Sequence, residues 1–359
     1  MKLVNLFHAP ALLLCLLVLN FSVQCTLAWF SIPSFDAVLD GVSGAIKTSY
    51  KFVNDNGYCA LRECCNEVHI HSDITELRKS LEKSLFGQHI AAEVIVNAVG
   101  GHFKNINSSE KPLVMSLHGL PGTGKNFIAE HITRALYKNG ANSQFVHKYL
   151  GRIHFPLQSE VETYKLNLVN DIKKAIARCP KSLFIFDEVE KMPSGLFDSI
   201  VTLLDHHAYT KHLDFRQSIF LFLSNVAGPE IADKLKGLVD RGVWREETKL
   251  HDYESTLEIA SYNLMGGLHK SELIESHVVD HFVPFLPLEL RHVESCIRAE
   301  YAKFTDAKMS DELLSAVVKE AITFDETGLY SNTGCKRVNK KVEALYYSGL
   351  RKQKQKQEL

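Results

Sequence analysis

The chain has 359 residues, with 41 basic and 42 acidic side chains and a formal net charge of −1. This length allows one large and one small domain, each with its own core. The balanced charge lacks the basic excess that marks nucleic-acid binding, so we expect no nucleic-acid partner.

The N-terminus carries the features of a secretory signal. Lys2 precedes an apolar run from Ala11 to Leu19, and cleavage is expected after Cys25 or Ala28. The run is shorter than the roughly 20 apolar residues that span a bilayer. We therefore predict a signal peptide over residues 1–28, with an uncleaved anchor as the rival interpretation.

Residues 29–72 follow as an N-terminal segment that contains cysteines. Apolar residues within 35–46 recur at helical spacing but lack a basic opposite face. Two interpretations stay open: an amphipathic helix that associates peripherally with a membrane, or a helix that packs on the protein's own body.

A glycine-rich loop lies between a strand-like and a helix-like pattern. Residues 111–117 form a short apolar run, and residues 126–136 carry apolar side chains at helical spacing. The loop between them has the pattern G-x-x-x-x-G-K, whose backbone N–H groups and helix N-terminus bind phosphates. The predicted ATP-binding residues are Gly119, Leu120, Pro121, Gly122, Thr123, Gly124, Lys125, Asn126 and Phe127.

The loop departs from the usual pattern at Asn126, where Ser or Thr normally binds Mg²⁺. The Asn carboxamide oxygen can contact Mg²⁺ or one of its waters, although it is larger and has no proton to lose. We expect retained ATP binding with slow turnover.

Two further strand-like runs end in polar residues. Residues 181–188 end in Asp187 and Glu188, and residues 218–225 end in Asn225. Asp187 would hold Mg²⁺ through water, and Glu188 would act as general base on the attacking water. Asn225 would orient that water, as the sensor-1 residue does in AAA+ proteins. The rival interpretation of the acids is an ordinary strand end with two solvated carboxylates.

Taken together, these motifs resemble the torsins, AAA+ ATPases of the endoplasmic reticulum lumen and nuclear envelope. The resemblance covers roughly residues 59–347 and rests on GTGKN at the loop and IFDEVEK at residues 185–191. It also rests on FLSNVAG, FVPFLPL, LFGQHI at residues 85–90, and Gly334-Cys-Lys336. In this family the segment 85–90 lies near the adenine.

The resemblance implies additional roles near the C-terminus. Lys336 would be the sensor-2 cation that reaches the γ-phosphate. Cys296 and Cys335 would form a disulfide that couples redox state to nucleotide binding. A bond from the cluster Cys59, Cys64 and Cys65 to Cys179 is also implied, with its partner in the cluster left open.

An arginine finger is not recognisable, since neither Arg241 nor Arg245 has a clear match. The resemblance implies that a membrane-anchored luminal activator supplies this arginine, and that the protein forms a homo-oligomer. Tyr149-Leu-Gly151 is a faint pore-loop candidate within a strand-like run.

The end Lys-Gln-Glu-Leu359 differs by one residue from a retention signal of the endoplasmic reticulum. Together with the signal peptide, it predicts residence in the lumen, and the resemblance adds the nuclear envelope. In that compartment Asn107 of Asn107-Ser-Ser109 is a glycosylation acceptor.

The predicted fold is α/β, with a parallel AAA+ sheet flanked by helices and a small C-terminal helical domain. We place the large ATPase domain at 73–282, the helical lid at 283–350 and a basic tail at 351–359. The predicted function is an ATP hydrolase that remodels proteins or membranes. The alternative is a nucleotide-gated scaffold in which hydrolysis is incidental.

Overall fold

The apolar runs of the sequence become strands of one parallel sheet. The computed structural model describes residues 59–71, 73–206, 209–210 and 213–357. The predicted signal peptide and the helical pattern at 35–46 lie outside them. From residue 63 onward the chain forms one compact unit, which a helical turn at Cys59–Leu61 precedes. The strands are β1 Leu113–Gly119, β2 Val146–Leu150, β3 Leu183–Asp187, β4 Tyr209–Thr210, β5 Leu213–Asp214, β6 Ile219–Ser224 and β7 His281–Phe285.

Among the described residues, five strands form the main sheet in the order β2-β3-β6-β1-β7, all parallel. Strands β4 and β5 form a separate short antiparallel pair. The carboxyl ends of parallel strands meet at one edge of a sheet, so this order brings the residues after β1, β3 and β6 together. The predicted α/β fold is confirmed.

Helices cover both faces of the sheet. The helices are α1 Thr75–Ser84, α2 His89–Lys104, α3 Lys125–Leu136, α4 Gly151–His154, α5 Val161–Arg178, α6 Val201–Leu204, α7 Gly228–Asp240, α8 Glu254–Asn263, α9 Glu272–Glu275, α10 Leu290–Tyr301, α11 Asp311–Ala321 and α12 Val338–Gln357. Short 3₁₀ turns occur at Gly140–Asn142, Gln158–Glu160, Val189–Lys191, Leu196–Ile200, Arg245–Glu247 and Leu250–Asp252.

Side chains that alternate along the strands divide the core of the large domain into two clusters, one on each face of the sheet. On one face Phe184 stacks on Phe220 at 4.6 Å between ring centroids, and Phe186 stacks on Phe222 at 5.0 Å. Buried aliphatic residues of the same strands fill the other face: Leu183, Ile185, Leu221 and Leu223. Burial on both faces explains why these strands read as continuous apolar runs.

Strand β7 crosses the predicted domain boundary between residues 282 and 283. It pairs with β1 at the edge of the sheet, with Pro284 opposite His118. Proline has no N–H to donate, and an edge strand tolerates it because only one side needs ladder hydrogen bonds. The sheet therefore continues through Phe285 before the chain enters the helical lid.

The lid packs around a small core of its own. Helices α10, α11 and α12 contribute buried residues such as Val293, Val317 and Val342. Helix α12 continues to Gln357, through part of the run that the sequence predicts as a basic tail.

Disulfides join predicted cysteines within the described residues. Cys65 is the member of the N-terminal cluster that bonds Cys179, which follows α5, and Cys296 bonds Cys335 within the lid. The residues beside Cys65 are also held, because the backbone N–H and the side-chain amide of Gln144 both donate to Glu63, at 2.7 and 2.6 Å.

Over the ranges given above, no helix has the length and apolar content that a bilayer crossing requires. Tyr149 lies inside β2 and stacks on Phe186 at 5.1 Å between ring centroids. The faint pore-loop candidate is therefore part of the sheet and does not form a loop.

Candidate functional site

The glycine loop lies between the end of β1 and the start of α3. Gly122 and Gly124 have φ angles of +78° and +116°, in the left-handed region that favours glycine. A Cβ atom on Gly122 would lie 1.9 Å from the backbone oxygen of Thr333. The loop thus needs glycine both for its own turn and for the close approach of the lid.

Lys125, the loop lysine, is buried at the first position of α3. Its Nζ donates to the carbonyl oxygens of Gly119 at 2.6 Å and Leu120 at 2.9 Å. Burial lowers the pKa of Lys125 to about 7, against the opposing effect of the carboxylates of Glu190 and Asp187. The cation is thus held directly beneath the loop.

Asp187 and Glu188 lie at the carboxyl end of β3, as predicted. Asp187 is the last strand residue, and Glu188 has a left-handed φ of +58°. Such a backbone conformation is uncommon outside glycine and is concentrated at functional sites. It turns the chain away from the sheet directly after the two acids.

Asn225 follows β6 and lies beside a carboxylate that sequence reasoning missed. Its Nδ2 donates to Glu190 Oε1 at 2.7 Å, and its backbone N–H donates to Glu190 Oε2 at 3.2 Å. Glu190 therefore fixes the orientation of the Asn225 amide. The signal was the second glutamate in FDEVE, two residues after Glu188.

Two cations on the β2 side contact the acids of β3, and neither was anticipated. Lys148 Nζ lies 3.1 Å from Asp187 Oδ2 and donates to Asn126 Oδ1 at 3.2 Å. Arg152 Nε lies 3.1 Å from Glu188 Oε2. Because Arg152 is 67% exposed, its ion pair is weak and easily exchanged.

The lid reaches the glycine loop through the segment that contains the predicted redox cysteine. The backbone N–H of Cys335 donates to the carbonyl oxygen of Gly122 at 3.1 Å. The disulfide to Cys296 joins this segment to α10. Lys336, the predicted sensor-2 cation, is the next residue and is exposed.

These elements surround one cavity of about 880 Å³. Among the predicted residues, those that line it are Pro121, Gly122, Thr123, Gly124, Lys125, Asn126, Phe127, Asp187, Glu188, Asn225, Cys296, Cys335 and Lys336. Leu85 and Phe86, from the segment 85–90 that is expected near the adenine, also line it, as does the preceding Ser84.

Three predicted residues lie outside the cavity wall. Gly119 and Leu120 begin the loop, and their carbonyl oxygens accept from Lys125. Asn107 lies in an exposed turn after α2, away from the cavity. Its position leaves the side chain open to solvent.

The residues of this cavity fit a nucleotide triphosphate. Its volume is within the range of small-molecule sites, and a helix N-terminus with a buried lysine provides the positive potential that phosphates require. The oxygens of Asn126 and Asp187 are of the type that Mg²⁺ prefers.

Arg245 has a structural position that sequence reasoning did not foresee. Its guanidinium is buried, donating to Pro287 O at 2.9 Å and to Gly87 O at 2.8 Å and pairing with Glu289 at 3.2 Å. Burial lowers its pKa, while Glu289 acts in the opposite direction. These contacts exclude it as an arginine finger that acts on a neighbouring subunit.

Gln88 links the glycine loop to the lid connection, the segment between β7 and the lid that contains Leu286 and Pro287. Its Nε2 donates to Thr123 O at 3.0 Å and Leu286 O at 2.8 Å, and its Oε1 accepts from Leu286 N at 2.8 Å. The amide thereby joins the glycine loop to the residue that follows β7.

Comparison with known proteins agrees with this geometry. The sequence model of the family described as Torsin matches residues 59–186, and the model described as the C-terminal domain of Torsin-1A matches residues 288–347. A Torsin-like protein of Drosophila melanogaster is 43% identical over 320 residues, covering 88% of this chain and 94% of the relative. A Torsin-like protein of Caenorhabditis elegans is 39% identical, covering 81% and 82%.

Among solved structures, the Hsp104–ADP complex of S. cerevisiae superimposes with a TM-score of 0.55 at 16% identity. The match covers 85% of this chain and 52% of that one, so the chain spans about half the length of Hsp104. At this identity the likeness concerns the fold alone.

Fold and site together define a P-loop ATPase of the AAA+ type. The chain belongs to the torsin family, as its identity with the two Torsin-like relatives shows over most of its length.

Proposed function

We propose that this protein binds ATP with Mg²⁺ in the cavity between sheet and lid and hydrolyses it. One observation supports this most strongly. The glycine loop, the acids of β3, Asn225 of the β6 end and Lys336 of the lid all line a single cavity, although they come from four separate parts of the chain.

The roles follow from the chemistry of each group. The loop N–H groups and Lys125 bind the phosphates, and Lys336 adds charge from the lid side. Asn126 and Asp187 would hold Mg²⁺, which would neutralise charge on the phosphate oxygens. The adenine lies toward the segment at residues 84–86.

Glu188 is the proposed general base, because its carboxylate lines the cavity at the end of β3. A carboxylate oxygen accepts the proton of the attacking water, and the amide of Asn225, fixed by Glu190, orients that water. Arg152 holds Glu188 in the present geometry and has to exchange its contact before the base can act.

Turnover is expected to be slow until a partner acts. The guanidinium of Arg245 is bonded to Pro287 and Gly87 of its own chain, and Arg241 has no recognisable match to an arginine finger. We propose that a membrane-anchored luminal protein supplies an arginine, a contribution of about 10³–10⁵ in phosphoryl-transfer systems that use one. Assembly as a homo-oligomer accompanies this step.

The proposed compartment is the lumen of the endoplasmic reticulum and the continuous space of the nuclear envelope. Disulfides persist in oxidising compartments, and the described residues include the bonds Cys65–Cys179 and Cys296–Cys335. The predicted signal peptide and the Lys-Gln-Glu-Leu end point the same way. There the ATPase would remodel proteins or membranes in a chaperone-like manner.

The test uses Glu188→Gln, which removes the base while keeping the shape of the side chain. ATP turnover is measured with and without the luminal domain of the activator, and ATP retention and partner capture are measured in parallel. We expect Glu188→Gln to retain ATP, hold the partner and lose turnover. Glu93→Gln, at an exposed position on α2, is the matched control and should behave as wild type.

If the wild type with partner shows no more turnover than Glu188→Gln, hydrolysis is not the function. ATP binding with partner capture, in the absence of turnover, would instead support a nucleotide-gated scaffold.

A further inference from the structure

Lys148 brings a positive charge to the oxygens that the proposed function assigns to Mg²⁺. It lies on edge strand β2, opposite Ile185 of β3. From there its ammonium reaches Asp187 Oδ2 at 3.1 Å and Asn126 Oδ1 at 3.2 Å. Lys148 does not line the cavity, but both of its partners do.

The three side chains form a closed triangle. Asn126 Nδ2 completes it by donating to Asp187 Oδ1 at 3.2 Å. The Asp187 side chain is only 10% exposed, whereas that of Lys148 is 45% exposed. A carboxylate that is largely withdrawn from water needs a compensating charge, and Lys148 provides it.

The triangle also accounts for the amide at position 126. A hydroxyl would have to accept from Lys148 and donate to Asp187 through one oxygen, whereas the Asn126 carboxamide uses two separate atoms, Oδ1 as acceptor and Nδ2 as donor. The Asn side chain therefore fits a site in which an ammonium lies beside the metal-binding carboxylate.

We propose that Lys148 is a resident cation of the nucleotide site that competes with the divalent metal for Asn126 and Asp187 and makes nucleotide binding less dependent on the metal. This inference rests on the proposed function, since it concerns the same ATP site.

Lys148 has two effects, and both make ATP binding less dependent on the metal. With Lys148 present, the charge of Asp187 is compensated, so the carboxylate repels a metal-free triphosphate less. The metal must also displace the Lys148 ammonium or share its ligands, so metal binding contributes less to the affinity for ATP. Without Lys148 the unpaired carboxylate attracts Mg²⁺ and repels bare ATP.

The measured quantity is the metal dependence of binding, defined as the dissociation constant of ATP in EDTA divided by that in saturating Mg²⁺. Titration calorimetry at constant ionic strength gives both values, because surface charge effects vary with salt. The variants are Lys148→Met and Lys148→Arg, and the control is Lys174→Met at an exposed position on α5.

We expect Lys148→Met to raise the metal dependence about tenfold, mostly through weaker binding in EDTA. Lys148→Arg keeps the charge and should stay within about threefold of wild type, and Lys174→Met should leave the ratio unchanged. In an Asp187→Asn background, Lys148→Met should no longer raise the ratio, because the charge that it compensates is gone.

An unchanged ratio in Lys148→Met, with normal binding of ATP–Mg²⁺, overturns this inference and leaves the proposed function standing. Equal weakening with and without metal also overturns it, since that result marks a purely structural ion pair. Failure of the wild type to bind ATP under either condition removes the proposed function itself.

Discussion

At the scale of single residues, the site depends on polar groups held in positions that cost free energy. Burial lowers the pKa of Lys125 to about 7, and Glu188 adopts a left-handed backbone. Both lie at the carboxyl edge of the sheet, where phosphate chemistry is proposed. Such costs persist because the surrounding sheet fixes the chain on both sides.

His118 gives a residue-scale prediction for pH. It is fully buried at the end of β1, with Nε2 at 2.6 Å from Ser116 Oγ and 3.2 Å from Ser261 Oγ. Burial, with a smaller effect from Lys125, lowers its pKa from 6.5 to about 3. Between these two values the unfolded chain binds the extra proton, so stability falls as the pH drops below about 6.5.

We expect the free energy of unfolding to fall by about 2 kcal/mol from pH 7 to pH 5 through this group alone. Urea unfolding across this range measures the change, and His118→Gln, which does not titrate, should show a shallower pH dependence. Parallel curves for the two proteins would contradict the assignment.

At the scale of elements, the glycine loop is held from both the sheet and the lid. Gly122 makes the closest approach, because its carbonyl accepts from Cys335 and its Cα faces Thr333. The glycine loop and the lid segment 333–336, which contains Lys336, therefore cannot move independently while this contact exists.

Replacing Gly122 with Ala should separate the two segments. The new Cβ meets the Thr333 backbone, and the left-handed φ adds a further cost of about 1–2 kcal/mol. We expect ATP affinity to fall at least tenfold in titration calorimetry. Gly101→Ala on α2 is the control, since nothing lies within 4 Å of its Cβ. Alanine there should stabilise the helix by about 0.5–1 kcal/mol. Unimpaired ATP binding by Gly122→Ala would contradict the tight contact.

The lid disulfide should influence the same contact. Cys335 is joined to α10 by the bond and to the loop by its N–H. We expect reduction to weaken ATP binding severalfold in the wild type, because the segment with Lys336 loses its anchor. Binding measured with and without reductant checks this.

The matched control for the redox prediction is Cys65→Ser, which removes the Cys65–Cys179 disulfide and keeps the lid bond. In Cys65→Ser, reduction should still weaken ATP binding, whereas in Cys296→Ser reduction should no longer change it. The same response in both variants would place the redox sensitivity elsewhere.

At the scale of the whole molecule, a buried cation connects the lid to the large domain. Arg245 bonds carbonyls at Gly87, before α2, and at Pro287, after β7. Gln88 extends this connection to the glycine loop. The position of the lid is therefore linked to the nucleotide site through two side chains that bond backbone carbonyls.

Arg245→Met should lower the free energy of unfolding by at least about 2 kcal/mol, because the buried carbonyl of Pro287 and the partly buried carbonyl of Gly87 lose their donor at about 1–3 kcal/mol each. Urea unfolding measures the loss, and Arg241→Met, at an exposed position, should change stability by less than about 0.5 kcal/mol. A similar small effect for both would show that the connection does not depend on Arg245.

Much of this architecture was predictable because its signals are local. The apolar runs around residues 113, 183 and 219 predict buried strands, and the loop with Lys125 needs only its own pattern. Parallel pairing then requires that Asp187 and Asn225 meet the loop at one edge. The sequence by itself determined the sheet, the phosphate-binding loop and the family.

The tertiary structure alone decided which distant residues complete the site. Cys65 rather than its neighbours bonds Cys179, Glu190 orients Asn225, and Lys148 reaches Asp187 from the edge strand. Arg245 became part of the lid connection. These pairings depend on distances between segments far apart in the chain, and a sequence pattern records the periodicity of each segment but not the distances between segments.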